Sequence, residues 1–242
     1  MSFSYNSFAA WLDVTLDKML ERRTYVVAGL AGVVLLIAGS IGFNWYWHGM
    51  QTSAQKEFVA LARYFEAPVV VGSPSRTEGE SLQFASEQEK WTFIAQAYEK
   101  AHNRLKRTGM GPMFKVYEAD ALLTLGKQDE ALAALEVAVR DVKSREVQDF
   151  LKLKVALVRL DNAKSAEAGL TALKTLAGDT SSFAHEAALY NLGYYYFTAH
   201  DAAQAKNYWQ QMMVKYGMQD AKYPSAYAEQ VRGKLKLISS DW

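Results

Sequence analysis

ALYNLGYYYFTAHDAAQAKNYW, residues 188–209, reads as two amphipathic helices joined by a turn at His200 and Asp201. Small and apolar side chains recur three and four residues apart on both sides of that turn, which is the spacing of a helix face and not of a strand. Asp201 stands where a helix N-cap is wanted. Two other stretches align on the same pattern. LLTLGKQDEALAALEVAV, residues 122–139, turns at Gly126, and LVRLDNAKSAEAGLTALKTL occupies residues 157–176. Ala131, Ala168 and Ala205 share one slot, at intervals of 37 residues, and Leu135, Ala172 and Trp209 share the next. A fixed period of this length implies a helix-hairpin unit whose neighbours bury one another's apolar faces.

In the third unit Leu192, Gly193 and Tyr196 lie on one face of the first helix. Ala205 is small enough to let the second helix approach, and Tyr196 and Trp209 fill the space around the crossing. This resembles the tetratricopeptide repeat, whose motif runs leucine-glycine, tyrosine, alanine and an aromatic. The third unit matches it best. The middle unit departs, with Val155 and Ala156 for leucine-glycine and Ala172 for the aromatic. The period also exceeds the family's usual repeat of about 34 residues. The resemblance implies an all-α fold, a tetratricopeptide-like α-solenoid, closed by a cap helix from Pro224 to Ile238 with Tyr227 and Val231 turned inward. It further implies a concave face built from the first helices: Tyr190, Tyr194 and Phe197 in the third unit, Leu153, Leu157 and Leu160 in the middle one, Val116, Asp120 and Leu123 in the first. Two readings of that face stay open. It is a partner-binding groove suited to a hydrophobic segment or helix, or it packs against the cap or the helix at 86–108.

Working outward, Trp91, Ile94, Ala95, Tyr98, Ala101 and Leu105 set a helix over about 86–108, closed by Gly109, Gly111 and Pro112. Further helices are expected at 112–125, 129–142, 145–160, 165–177, 183–198, 202–216 and 224–239. Residues 66–85 carry Pro68, Gly72, Pro74 and Gly79 and read as a linker. Val69, Val70 and Val71 suggest that part of it is packed. The repeat domain is thus placed at 86–242, and residues 48–85 are a stalk helix and linker.

Upstream lies YVVAGLAGVVLLIAGSIGFNWYW, residues 25–47, without a charged side chain. As a helix it reaches roughly 34 Å, against a hydrocarbon core of about 30 Å. Arg22 and Arg23 fence one end and Trp45, Tyr46 and Trp47 the other, the residue types that settle at a membrane interface. A core helix is usually shorter, and a signal peptide ends in small residues, not aromatics. The expectation is a single N-terminal transmembrane helix. Lys18, Arg22 and Arg23 lie close to its start, whereas Lys56 and Arg63 are the first basic residues after it. The positive-inside rule then puts residues 1–24 in the cytoplasm and the rest across the membrane. Phe8, Trp11, Leu12, Leu16, Met19 and Leu20 make 1–24 an amphipathic segment able to lie on the inner face.

The formal net charge is +1 over 242 residues, too little for a nucleic-acid partner. There is no cysteine, which excludes disulfides, thiolate catalysis and cysteine-held metals. His48, His102, His185 and His200 are scattered, and no HExxH, glycine-rich phosphate loop or GxSxG element occurs. No catalytic, cofactor-binding or metal-binding residue is therefore expected, and the chain reads as non-enzymatic.

The membrane exit, GFNWYWHGMQTSAQKEF with Gly42, Trp45, Tyr46 and Trp47, resembles that of the YfgM-like ancillary subunits of the bacterial SecYEG translocon. The likeness runs from about Met19 to Gly217. It implies an inner-membrane protein with a cytoplasmic N-terminus and a periplasmic repeat domain. Its partners would be the translocon in the membrane and periplasmic chaperones or exported chains outside it. The long 66–85 region and the aromatic N-terminal segment depart from that family. They suit the alternative, a structural accessory or assembly subunit of another inner-membrane complex such as a respiratory complex.

Overall fold

The computed structural model describes residues 23–77, 82–217 and 225–241, with side chains from Leu36 onward and as far as Ile238. Nine helices are described: α1 (Arg23–Glu66), α2 (Glu87–Leu105), α3 (Gly111–Thr124), α4 (Gln128–Asp141), α5 (Arg145–Asp161), α6 (Ala166–Gly178), α7 (His185–Thr198), α8 (Ala202–Tyr216) and α9 (Ala228–Asp241). The only extended pairing among the described residues is two isolated bridges, Val69 with Phe84 and Arg76 with Gln83. The all-helical expectation therefore holds, and the helix order is consistent with an α-solenoid. The segment 1–22 lies outside the described residues.

The chain divides into two compact units, Met1–Ser53 and Ala54–Trp242. In the first, Leu36, Ile37, Ile41, Phe43, Trp45 and Tyr46 are all more than half exposed. At about 3.6 residues per turn these six spread round α1, with only the uncharged Ser40 and Asn44, both exposed, in the gap between Leu36 and Ile37. Among the described residues no helix is long and apolar enough to cross a membrane. The side chains of 25–35, the first half of the expected span, lie outside that set.

The second unit begins earlier than the sequence pattern places it. Residues 54–66, expected as a stalk, belong to the packed domain. Ala54 is fully buried. Phe58 sets its ring edge-on to Tyr117 at 4.9 Å and beside Phe114 at 5.9 Å. Phe65 meets Trp91 at 5.5 Å, and Tyr98 stacks on Tyr117 at 5.4 Å. Edge-on and offset rings of this kind add to simple area burial. Lys90, itself buried, donates from Nζ to the carbonyls of Phe65 at 2.8 Å and Ala67 at 2.7 Å. It thereby satisfies carbonyls that the end of α1 leaves without a helical donor. The linker is packed too, through Phe84, which is buried against Phe93 and pairs its backbone with Pro68 and Val70. Val71, by contrast, is exposed.

Helices α3 to α8 form three hairpins, α3/α4, α5/α6 and α7/α8. Their first helices keep the interval of 37 residues, with the small residues Ala119, Ala156 and Gly193 all buried. The second helices do not. Their buried small residues are Ala131, Gly169 and Ala205, whereas Ala168 is exposed. Leu135, Leu173 and Trp209 follow in the large slot, each fully buried. The middle unit is displaced by one place because residues 162–165 join its helices, where 125–127 and 199–201 suffice in the others. The expected slot residues Ala168 and Ala172 are corrected to Gly169 and Leu173. Glycine is required there: a Cβ would come 2.6 Å from Leu160 N and 2.7 Å from Ala156 O, both backbone of α5.

The outer hairpins turn alike. Lys127 N donates to Leu122 O and Gly126 N to Leu123 O, and Asp201 and His200 repeat both bonds to Tyr196 and Phe197. This pattern needs a left-handed residue just past the helix. Gly126 supplies it at φ 74° and His200 at φ 60°. Asp201 then caps α8, its carboxylate accepting from Gln204 N at 3.0 Å, as its place in the sequence suggests.

Candidate partner-binding surface

The third unit's expected concave residues lie under α9. Tyr190 stacks on Tyr227 at 4.4 Å, and its hydroxyl donates to Gln230 Oε1 at 2.9 Å. Phe197 packs on Trp209 at 5.5 Å. Lys234 of α9 holds its ammonium 5.0 Å from the ring centres of both Tyr194 and Phe197, a cation–π arrangement. Val231 and Ile238 bury themselves in the same cluster with Leu189 and Met212. Burying an aliphatic side chain of that size stabilises by about 1.5–3 kcal/mol, which is enough to seat a short helix. Of the three, only Tyr194 stays largely exposed.

The middle unit's Leu153 and Leu157 are also internal. Leu153 is buried with Ala156, Leu173 and Leu192, and Leu157 packs against that cluster. In the first unit Val116 is buried with Ala138 and Leu151, while Asp120 pairs with Lys154 of α5. Of the two readings left open for this face, packing describes Tyr190, Phe197, Leu153, Leu157 and Val116, while Tyr194 remains exposed. The packed side chains are bulky and apolar, and in so short an array the neighbouring helices reach them.

One open cleft lies at the junction of α4, α5 and α6. A cleft of about 500 Å³ is floored by Val139, Val155, Ala172 and Leu176 and rimmed by Glu136, Arg140, Lys152 and Arg159. Ala172 lines the cleft because the one-place shift turns Leu173 into the core and leaves only a methyl group facing it. Arg159 reaches across to Glu136 at 2.6 Å. Lys152 lies 3.5 Å from Asp149, whose carboxylate is buried and committed to Ser182 Oγ and Phe183 N, both at 3.1 Å. Arg140, exposed, pairs with its neighbour Asp141. Each rim cation therefore has a carboxylate within 4 Å. None of these residues stood out as a site in the sequence. The available signal was Arg159 and Ala172 at places where the third unit carries aromatic rings.

The perturbed titratable groups are dispersed. Burial pushes the Glu118 carboxyl up, against the lowering effect of Lys115, whose Nζ lies 2.7 Å away. Burial likewise raises the Tyr98 phenol, which has no hydrogen-bond partner among the described residues. His185 is held below the usual histidine value by burial and by the Lys215 ammonium, and its Nδ1 lies 2.8 Å from the Tyr216 hydroxyl. Among the described residues no three His, Asp or Glu side chains converge as a metal site would require.

At the expected membrane interface Trp45 and Tyr46 are exposed, and Trp47 stacks on Phe43 at 6.2 Å. Arg22 lies outside the described residues, and Arg23 opens α1 with its side chain outside them too. No protein-family model matches the chain, and no curated protein matches it at a significant level.

Proposed function

We propose that this protein is a non-catalytic, membrane-anchored interaction subunit. Its α1 segment enters a bilayer and its helical hairpins engage a soluble protein. The observation that supports the anchor is the set of exposed apolar side chains from Leu36 to Tyr46, spread round the helix with no charged residue among them. An uncharged helix with apolar side chains spread so widely round it gains little from water and suits lipid or a protein interior. Together with the uncharged residues 25–35 it makes a stretch long enough to span. Lys18, Arg22 and Arg23 orient it with the N-terminus in the cytoplasm and the hairpins in the periplasm of a bacterial inner membrane.

The resemblance at Gly42, Trp45, Tyr46 and Trp47 points to the Sec translocon as the membrane partner and to periplasmic chaperones or exported chains as the soluble ones. Purification of the full chain in mild detergent, with quantitative identification of what comes with it, tests this. Recovery of the Sec channel with periplasmic chaperones is expected. A stoichiometric respiratory complex, without either, would replace this reading with that of an accessory subunit.

A further inference from the structure

Helix α2 runs back along the packed part of α1, and the charges of the pair sort by end. Arg104 meets Glu57 at 2.7 Å toward one end, and Phe65 meets Trp91 at the other. Around the Trp91 end the exposed Glu66, Glu87 and Glu89 outweigh Arg63. At the Arg104 end, where the chain enters this unit at Ala54, stand Lys56, Arg104, Lys106 and Arg107, all exposed. Arg104 is answered by Glu57. Among the described residues Lys56, Lys106 and Arg107 have no carboxylate within 4 Å. The dipole of α2 favours acids at its start and bases at its end, but that of α1 disfavours Glu66, which closes it.

The loop that carries Lys106 and Arg107 is held from within. Thr108 is buried, and its N and Oγ1 both donate to Leu105 O, at 2.9 Å and 2.7 Å. Gly111 N donates to Thr108 O at 3.0 Å, and the buried His102 sets Nδ1 3.0 Å from Gly111 O. The turn is so close that a Cβ on Gly111 would come 2.5 Å from Lys106 O. With Thr108 turned in, the two cations are turned out on a backbone already fixed.

We infer that this loop, together with Lys56, rests on the negatively charged phospholipid head groups of the bilayer that α1 enters. The inference rests on the membrane-anchor reading above. Six residues, 48–53, join Trp47 to Ala54, and even fully extended they reach roughly 20 Å. The entry end of the domain is thus tethered near the surface, and of the two ends it is the basic one. Each basic residue close to an anionic bilayer strengthens contact about fivefold, so Lys106 and Arg107 together favour the docked arrangement roughly thirtyfold. The attraction reaches about 8 Å at physiological ionic strength and about 3 Å at 1 M salt, which makes the contact salt-sensitive.

The chain has no cysteine, so Asn103→Cys and Gln88→Cys each take one fluorescent label, at exposed positions toward the basic and acidic ends of α2. The full chain is reconstituted into nanodiscs of zwitterionic lipid, with or without phosphatidylglycerol, containing a lipid with a nitroxide head group as quencher. Quenching at position 103 should exceed that at position 88, rise with phosphatidylglycerol, and fall in K106E/R107E or at about 1 M salt. Both substitutions alter exposed side chains, and an unchanged melting temperature checks the fold. Equal quenching at the two positions, or quenching at position 103 that ignores lipid charge or K106E/R107E, would overturn the assignment. Incorporation of the same chain into zwitterionic discs would still uphold the anchor, so the two readings fail separately. A label that responds to soluble polyglutamate and not to the anionic bilayer would give the cations to an acidic protein and equally overturn the lipid contact. Failure to enter either disc removes the anchor and the role of the loop with it.

Discussion

Replacing Gly169 by alanine decides which residue sets the crossing of α5 and α6. The added Cβ would meet Leu160 N at 2.6 Å and Ala156 O at 2.7 Å, with Arg159 C at 3.0 Å, all backbone atoms that cannot swing aside. An ordinary contact is about 3.5 Å, so α6 must withdraw by roughly 1 Å. Leu173 and Leu176, buried beside the crossing, then lose part of their packing. Overpacking of this kind costs about 1–3 kcal/mol. Alanine in place of glycine returns about 1 kcal/mol of helix propensity. The net expectation is a loss of up to about 2 kcal/mol, seen in urea unfolding or as a fall of up to about 8 °C in thermal melts followed by circular dichroism. If Ala168 held the slot, as a strict 37-residue period requires, Gly169 would face water and the substitution would stabilise. A rise in melting temperature refutes the register described above.

Three further outcomes follow from the same geometry. His200→Gly should stabilise the chain by about 1 kcal/mol by relieving a left-handed residue with a side chain, and Gly126→Ala, at the equivalent turn, should cost about as much. Lys90→Met should cost about 1–3 kcal/mol, because the carbonyls of Phe65 and Ala67 lose their donor while the stem's packing is kept; urea titration would read it. His185 has its folded value lowered, so the unfolded chain takes up its proton first as pH falls. Its stability contribution is complete above the ordinary histidine value of about 6.5 and is lost below it. Melting temperatures should therefore fall through that window, and His185→Gln should flatten the fall.

Much of the helical framework was legible because each helix carries its own marks. Apolar spacing placed α2 to α9 within a few residues, and Asp201 identified the start of α8. The slot in the middle unit was not legible, since a fixed period chooses Ala168 over its neighbour and says nothing of the longer connection at 162–165. Nor was the beginning of the second compact unit at Ala54. Phe58 and Phe65 look like stalk residues until the rings of Tyr98, Phe114 and Tyr117, distant in the chain, are seen against them. Spacing put Tyr190, Tyr194 and Phe197 on one side of α7, but whether a helix covers them depends on where α9 docks. The open cleft escaped for a related reason. It arises from two side chains that are small or charged where a sister unit has rings, and a vacancy has no motif of its own.

The most direct measurement of the central claim is flotation of the full chain with phospholipid vesicles, followed by alkaline carbonate extraction. The chain should float with the lipid and stay there, while a form with charged residues in place of Ile37 and Ile41 should not. A native chain left in the aqueous fraction would contradict the account.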